Sequence, residues 1–431
     1  MKNIQLFFLS VTFSFLISCN KNETKQITNS KEYQAYLQTA KNSNLQFAKA
    51  EYNFWNQKLE ANPNQYPYHS KLASANSQIF QLTGDIHQLK EAEKNLVAAN
   101  KKTNYKSAGY LRSLAKNYIS QHRFQEALDL LTKAEILGEN LQQTNYMLVD
   151  VHLELGNLTK VEYYLTKVKN NNDFDYLIRL SKFNDHLGNL ENAIIYLEKA
   201  LKIAEASKNK DLMQWNYTNL ADYYGHAGRI KDSYNSYLKA LAINPNNSYA
   251  KKGIAWIVYS YERNPTEALI ILETVINENA TPDYHLLKAE ILAFMGNDQE
   301  KEKQIKLYLS KVADKNYGAM YAKYNVLLFA DDKNTVLKAL EIAKEEVIAR
   351  PTAQSYDLLA WSYYKSGNSK KAIEITEKYV IGKTFEPEVL LHTAYILKAN
   401  NQKIAANKII KDLLKSTYEL GPLSENELKS I

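Results

Sequence analysis

The chain has 431 residues, 45% hydrophobic and 23% charged, and 54 basic against 47 acidic side chains leave a net charge of +7. Only six basic residues are Arg, the side chain that reads base edges, so no nucleic-acid partner is expected. A single cysteine excludes a disulfide framework.

The first element lies at the N-terminus. Met1 and Lys2 precede an apolar run from Ile4 to Ile17, interrupted by Gln5 and a few hydroxyl residues. The run is shorter than the ~20 residues of a membrane-spanning helix and reads as the apolar region of a signal peptide. The polar tract 20–30 follows abruptly. Leu16-Ile17-Ser18-Cys19 resembles the bacterial lipobox: aliphatic residue, tolerant position, small residue, cysteine. The resemblance implies that residues 1–18 are removed, that Cys19 carries lipid, and that residues 19–31 form a flexible tether. It also explains the lone thiol, since an exported chain with a free cysteine risks intermolecular disulfides and a thioether removes it. Acyl chains contribute about 0.8 kcal/mol per buried CH₂, so more than one chain anchors permanently. Asn20, in place of Asp, is compatible in that family with sorting to the outer membrane. The implied address is a bacterial envelope, with membrane contact through the lipid alone.

From residue 32 onward the organisation is a repeat. Gly-Asn occurs at 156, 188, 296 and 367, and Gly228-Arg229 and Gly84-Asp85 fill equivalent places. An apolar-periodic segment of about a dozen residues ends at each Gly and another begins after it, as expected for a glycine that closes one helix and a polar residue that caps the next. The eight prolines fall at predicted junctions, with Pro245, Pro351, Pro387 and Pro422 at or just past the ends of units. Tyr217, Leu220, Ala221 and Tyr224, followed by Ser233, Tyr237, Ala240 and Pro245, resemble the tetratricopeptide pattern. Tyr356, Leu359, Ala360 and Tyr363 with Ala372 repeat it, as do Leu111, Leu114, Ala115 and Tyr118 with Ala127 and Ala134.

The resemblance implies an all-α fold, a right-handed α-solenoid of about eleven helical hairpins over residues 32–431. Several departures stand out. No unit carries Trp at its leading position, the unit from 248 has one extra residue before Ala268, Lys301 stands where a small residue is expected, and residues 208–213 look inserted. Before residue 100 the register is open. Ser424-x-x-Glu427 after Gly421-Pro422 reads as a capping box opening a terminal capping helix.

Catalytic patterns are missing. The eight histidines are scattered, with no H-x₃-H or H-E-x-x-H spacing, no G-x-S-x-G elbow and no phosphate loop. Most of the 13 glycines serve as helix terminators. No enzyme activity, cofactor or metal is expected.

Repeat solenoids bind along an extended concave surface. The tetratricopeptide resemblance places that surface on the first helix of each unit. Carried onto this chain, it gives Tyr146, Asp150, Lys182, Asp185 and His186, then Trp215, Asp222 and His226. Tyr249, Lys252, Trp256, Tyr259, Glu290, Tyr321, Tyr324, Asp357, Trp361, Tyr364 and Tyr395 continue the row. Large aromatics there either fill the inside of a tight superhelix or form a platform for a ligand, and exposed Trp favours the platform. Acids interleave these aromatics more than bases do, which favours a neutral or basic ligand. The expected role is a lipid-tethered scaffold that binds a protein or peptide partner in the groove. The alternative is glycan or nutrient capture, as in starch-utilisation lipoproteins. Gly and Pro together number 21 and mostly punctuate helices, which argues against the irregular segments of that group.

Overall fold

A computed structural model describes residues 26–38 and 42–430. Among these residues the secondary structure is helical throughout, with no strand. The expected signal peptide and the lipid-bearing Cys19 lie outside the described residues.

Two helices precede the repeats, α1 (Ser30–Leu37) and α2 (Ser43–Ala61). Ten hairpins follow among the described residues. The first three pair α3 (Pro67–Thr83) with α4 (Ile86–Lys102), α5 (Ala108–Ser120) with α6 (Phe124–Leu137), and α7 (Leu141–Glu154) with α8 (Leu158–Lys167). Next come α9 (Phe174–His186) with α10 (Leu190–Ala206), and α11 (Lys210–His226) with α12 (Ile230–Ile243). A π-helical turn (Ile257–Tyr261) separates α13 (Ser248–Trp256) from α14 (Pro265–Glu278). Then α15 (Asp283–Phe294) pairs with α16 (Asp298–Val312), and α17 (Ala322–Ala330) with α18 (Val336–Ala349). The last two pair α19 (Ala353–Lys365) with α20 (Ser369–Tyr379), and α21 (Pro387–Ala399) with α22 (Lys403–Leu413). The chain closes with α23 (Thr417–Ser430). The architecture is an α-solenoid. Ten hairpins stand where about eleven were expected, because α1 and α2 do not pair: α2 packs on α3, and α1 packs on α12.

The repeated dipeptide acts mainly through its backbone. At Gly156-Asn157 the Asn N–H donates to His152 O at 2.8 Å and the Gly N–H to Leu153 O at 3.0 Å, the double closure of a helix end that needs a left-handed residue between. The Asn N–H makes the same bond at 189, 297 and 368. Its side chain caps the following helix only at Asn297 and Asn368. The small residues fall where helices cross: Ala115, Ala127, Ala221, Ala240, Ala268, Ala360 and Ala372 have no exposed surface. The extra residue before Ala268 is absorbed by the π-helical turn, which keeps Ala268 in register, and the 208–213 insertion by 17-residue α10 and α11.

Successive turns of the superhelix touch. Thr83 O accepts from Ala280 N at 2.7 Å, and Glu154 pairs with Arg350 at 3.3 Å. Such partners lie 193 to 197 residues apart, about six units of 34 residues.

Both ends of the chain depart from the expectation. The tether was expected to run to residue 31, yet residues 26–31 are bound to the solenoid. Glu262 Oε1 accepts from Ile27 N at 2.7 Å and Thr28 N at 2.6 Å, and Tyr33, 2% exposed, donates to Glu267 at 2.9 Å. With the Thr28 hydroxyl at 2.9 Å, three charge-assisted hydrogen bonds to the one Glu262 carboxylate hold this polar segment in place. At the other end, Gly421 (φ 78°) breaks α23 into two pieces. Leu428 covers Leu391 and Leu413, so the second piece caps the last hairpin. The first piece instead crosses the concave side and packs on α11 and the π-helical turn. None of the described helices is long and apolar enough to cross a membrane.

Candidate functional site

The concave side holds a chamber of about 670 Å³. Its walls come from first helices of successive units, α11, α13, α15, α17, α19 and α21, with α23 closing the side. These helices face inward because their buried alanines, Ala221, Ala255, Ala289, Ala330, Ala360 and Ala394, turn the opposite side toward the chamber.

One end of the chamber is aromatic. Trp361 stacks on His392 (centroids 4.1 Å apart, planes at 14°), with Tyr364 at 5.2 Å and Tyr395 at 5.8 Å. The Lys365 ammonium sits 5.3 Å above the Trp361 ring. Behind it, His392 Nδ1 lies 2.8 Å from Asp357 in full burial. Burial works against the imidazolium, and Asp357 outweighs it, so the His392 pKa is raised.

The other end is held by the C-terminal segment. Trp256 Nε1 and Ser260 Oγ both donate to the Tyr418 carbonyl, at 3.1 and 2.6 Å. His226 lies 2.6 Å from Glu419, and Arg263 pairs with Glu425. Asp222 accepts from the Tyr237 hydroxyl and from Tyr249 at 2.7 Å. Burial opposes the charged form of His226, yet Glu419, with Asp222 and Asp185, carries it up to about 8. Burial pushes Glu290 up to about 7 against the pull of the Tyr259 hydroxyl beside it, and Asp185 up to about 6. Burial also raises Asp222, against its two tyrosine donors.

Of the residues expected in the groove, Asp222, His226, Trp256, Glu290, Trp361, Tyr364 and Tyr395 line this one chamber. Tyr249 and Tyr324 remain 45% and 39% exposed, with Lys252 over the Tyr249 ring. The remainder do not line the chamber. Tyr259 and Asp357 are buried behind the wall, at 0% and 2% exposure. Tyr321 is buried among Tyr308 and Tyr317. Tyr146 is buried with its hydroxyl on Asp173 at 2.7 Å, beneath the Arg179 guanidinium. Asp150 is taken by Arg179 at 2.7 Å, with Lys182 farther off at 3.9 Å. Trp215, half-buried, packs edge-on against Phe174 of the preceding unit, and partial burial lowers the His186 pKa. Arg179, a buried cation reaching across to the preceding unit, occupies the Tyr146 carbonyl and the Asp150 carboxylate.

The residues that sequence reasoning missed are Lys323, Glu386, Glu388 and His392 on the wall, and Tyr418 and Glu419 in the closing segment. One signal pointed to the last pair. Gly225 sits inside α11, where Gly costs roughly 1 kcal/mol relative to Ala and so calls for a packing reason. Among the described residues, no group of three or more His, Cys, Asp or Glu could hold a metal ion.

The tetratricopeptide repeat model matches residues 174–207 and 216–247, the hairpins α9/α10 and α11/α12. These two hairpins are similar to tetratricopeptide repeats. No curated protein matches it. Among solved structures, it resembles the Cut9-Hcn1 hetero-tetramer of APC/C at 16% identity and TM-score 0.42, over 61% of this chain and 46% of that one, so it spans about half of that relative. A tetratricopeptide repeat protein from Parabacteroides merdae is 19% identical over 57% of this chain and 92% of that one, with TM-score 0.39. YrrB, a tetratricopeptide protein with an unusual peptide-binding site, is 18% identical over 46% of this chain and 95% of that one, with TM-score 0.27.

Proposed function

We propose that this chain is a non-enzymatic scaffold that holds a protein partner in its concave chamber and is tethered to a bacterial envelope, on the outer membrane, through lipid on Cys19. The chamber carries the first half of this reading. It gathers aromatic faces and hydrogen-bonding groups from six successive units and lies within the 300–1,000 Å³ range of binding pockets. Aromatic anchors flanked by polar groups are what binding hot spots use. Tetratricopeptide repeats characteristically bind protein segments on this face, which supports a partner of that class. The lipobox resemblance at Leu16 to Cys19 supports the tether.

Two experiments test the two halves. In the bacterium, Cys19→Ala should abolish labelling with radioactive palmitate, and labelling that persists would sink the anchor, because the chain has no other thiol. In envelope extracts, the full chain should retain a protein partner that Tyr364→Ala releases. Equal recovery by wild type and variant would remove the chamber from the interaction.

A further inference from the structure

We propose that the chamber takes a basic segment of the partner protein, whose lysine or arginine side chains enter between the aromatic end and the surplus carboxylates of the wall. This deepens the scaffold reading and rests on it. The first observation is a reversal of sign. The chain as a whole is positively charged, at +7. The chamber is lined by seven carboxylates against two lysines. Both lysines are already committed, Lys323 to Glu388 at 2.7 Å and Lys365 to Asp331 at 2.8 Å, and His226 is committed to Glu419. Asp222, Glu290 and Glu386 have no lysine or arginine within ion-pair distance among the described residues. A concave, partly desolvated surface focuses the field of such carboxylates, so the attraction is local although the whole chain repels cations.

The second observation is at the aromatic end. Lys365 over Trp361 is an intramolecular example of an ammonium held there on a ring face. Tyr364 and Tyr395, 6.4 Å apart, present two further rings beside it. The third is the state of the wall carboxylates. Burial holds Glu290 up at about 7, with Tyr259 favouring its ionisation and Glu388 opposing it. Burial also raises Asp222. An arriving cation stabilises the ionised form of Glu290, so binding near pH 6.5 expels protons from the wall. A peptide attracted merely to surface carboxylates, already ionised, expels none.

The test is calorimetric titration of the purified full chain, in mild detergent at low salt and pH 6.5, with capped decalysine, capped decaglutamate and spermine. Running it in two buffers of different ionisation heat reads proton release. Decalysine should bind with net proton release and decaglutamate should not bind. Glu290→Gln should abolish the release, and Glu290→Gln with Glu386→Gln should weaken decalysine at least 10-fold. Glu345→Gln, on the exposed face of α18, should leave binding unchanged. The proton release is measured on the wild-type chain, so the test survives a double variant that folds poorly. Decaglutamate binding as tight as decalysine, decalysine binding without proton release, binding of spermine in place of the peptide, or no binding at all would each overturn the inference. None of these outcomes touches the scaffold reading, which stands or falls on partner release by Tyr364→Ala.

Discussion

The Tyr418 ring rests on Gly225: a β-carbon at position 225 would stand 2.9 Å from Tyr418 Cε1. The two residues come from helices at opposite ends of the solenoid's second half, and their fit decides whether the chamber has a closing wall. Gly225→Ala therefore sets two effects against each other. In an isolated helix Ala is better than Gly by roughly 1 kcal/mol. Here the added methyl should displace Tyr418, and amide protons of residues 417–430 should exchange faster with solvent. A variant that melts higher and keeps wild-type protection in α23 would contradict the packing.

Protonation of His226 holds the same segment in place. Its folded pKa of about 8 lies above the ordinary value of 6.5, so its contribution is full below pH 6.5 and is lost as pH rises through 8. Glu290 acts in the same direction: its carboxyl, raised to about 7, is disfavoured as an anion, so its contribution also falls as pH climbs from the ordinary range through 7. Protection of α23 amides, corrected for intrinsic exchange, should be greater at pH 6 than at pH 8.5. His226→Gln should flatten the upper part of that dependence. Equal protection at both pH values would show that neither group bears on the segment.

Contacts between superhelical turns can be tested at Gly188 and Phe385. Gly188 has φ 77°, where a side chain costs about 1–2 kcal/mol, and a β-carbon there would meet the Phe385 ring at 2.5 Å. Gly188→Ala should destabilise the chain, and Phe385→Ala, at a residue 59% exposed, should cost little alone while relieving part of that loss. Strict additivity of the two costs in a double-mutant cycle would mean that the rings of the superhelix do not meet there.

The two chamber tryptophans should behave differently. Trp361 is 9% exposed and stacked on His392, so Trp361→Ala should cost about 3–5 kcal/mol in urea unfolding. Trp256 is less buried and gives one hydrogen bond to the Tyr418 carbonyl, worth about 0.5–1.5 kcal/mol. Its loss should mainly free α23. A smaller cost at 361 than at 256 would invert the account.

The fold was legible because its signals are local. Gly156-Asn157 and its copies close helices through bonds five residues long, and Ala221 or Ala360 mark crossings within one unit. Seven chamber residues followed from the tetratricopeptide resemblance, which places the binding face on the first helix of each unit. What escaped was set by distant partners. Asp357 sits on the inward side of α19, yet His392 from the next unit covers it. Arg179 does the same to Tyr146 and Asp150. The docking of residues 26–31 on Glu262 and of Tyr418 on Trp256 spans 235 and 162 residues, and periodicity within a unit carries no information about such pairings.

Whether a partner protein seats in the concave chamber is read by site-specific photocrosslinking in cells that make the protein. Benzoylphenylalanine is placed in turn at Tyr364, inside the chamber, and at Leu337, 69% exposed on the outer helix α18. One discrete crosslinked protein is expected at position 364 and none at 337. Crosslinks at 337 with none at 364 would contradict seating in the chamber.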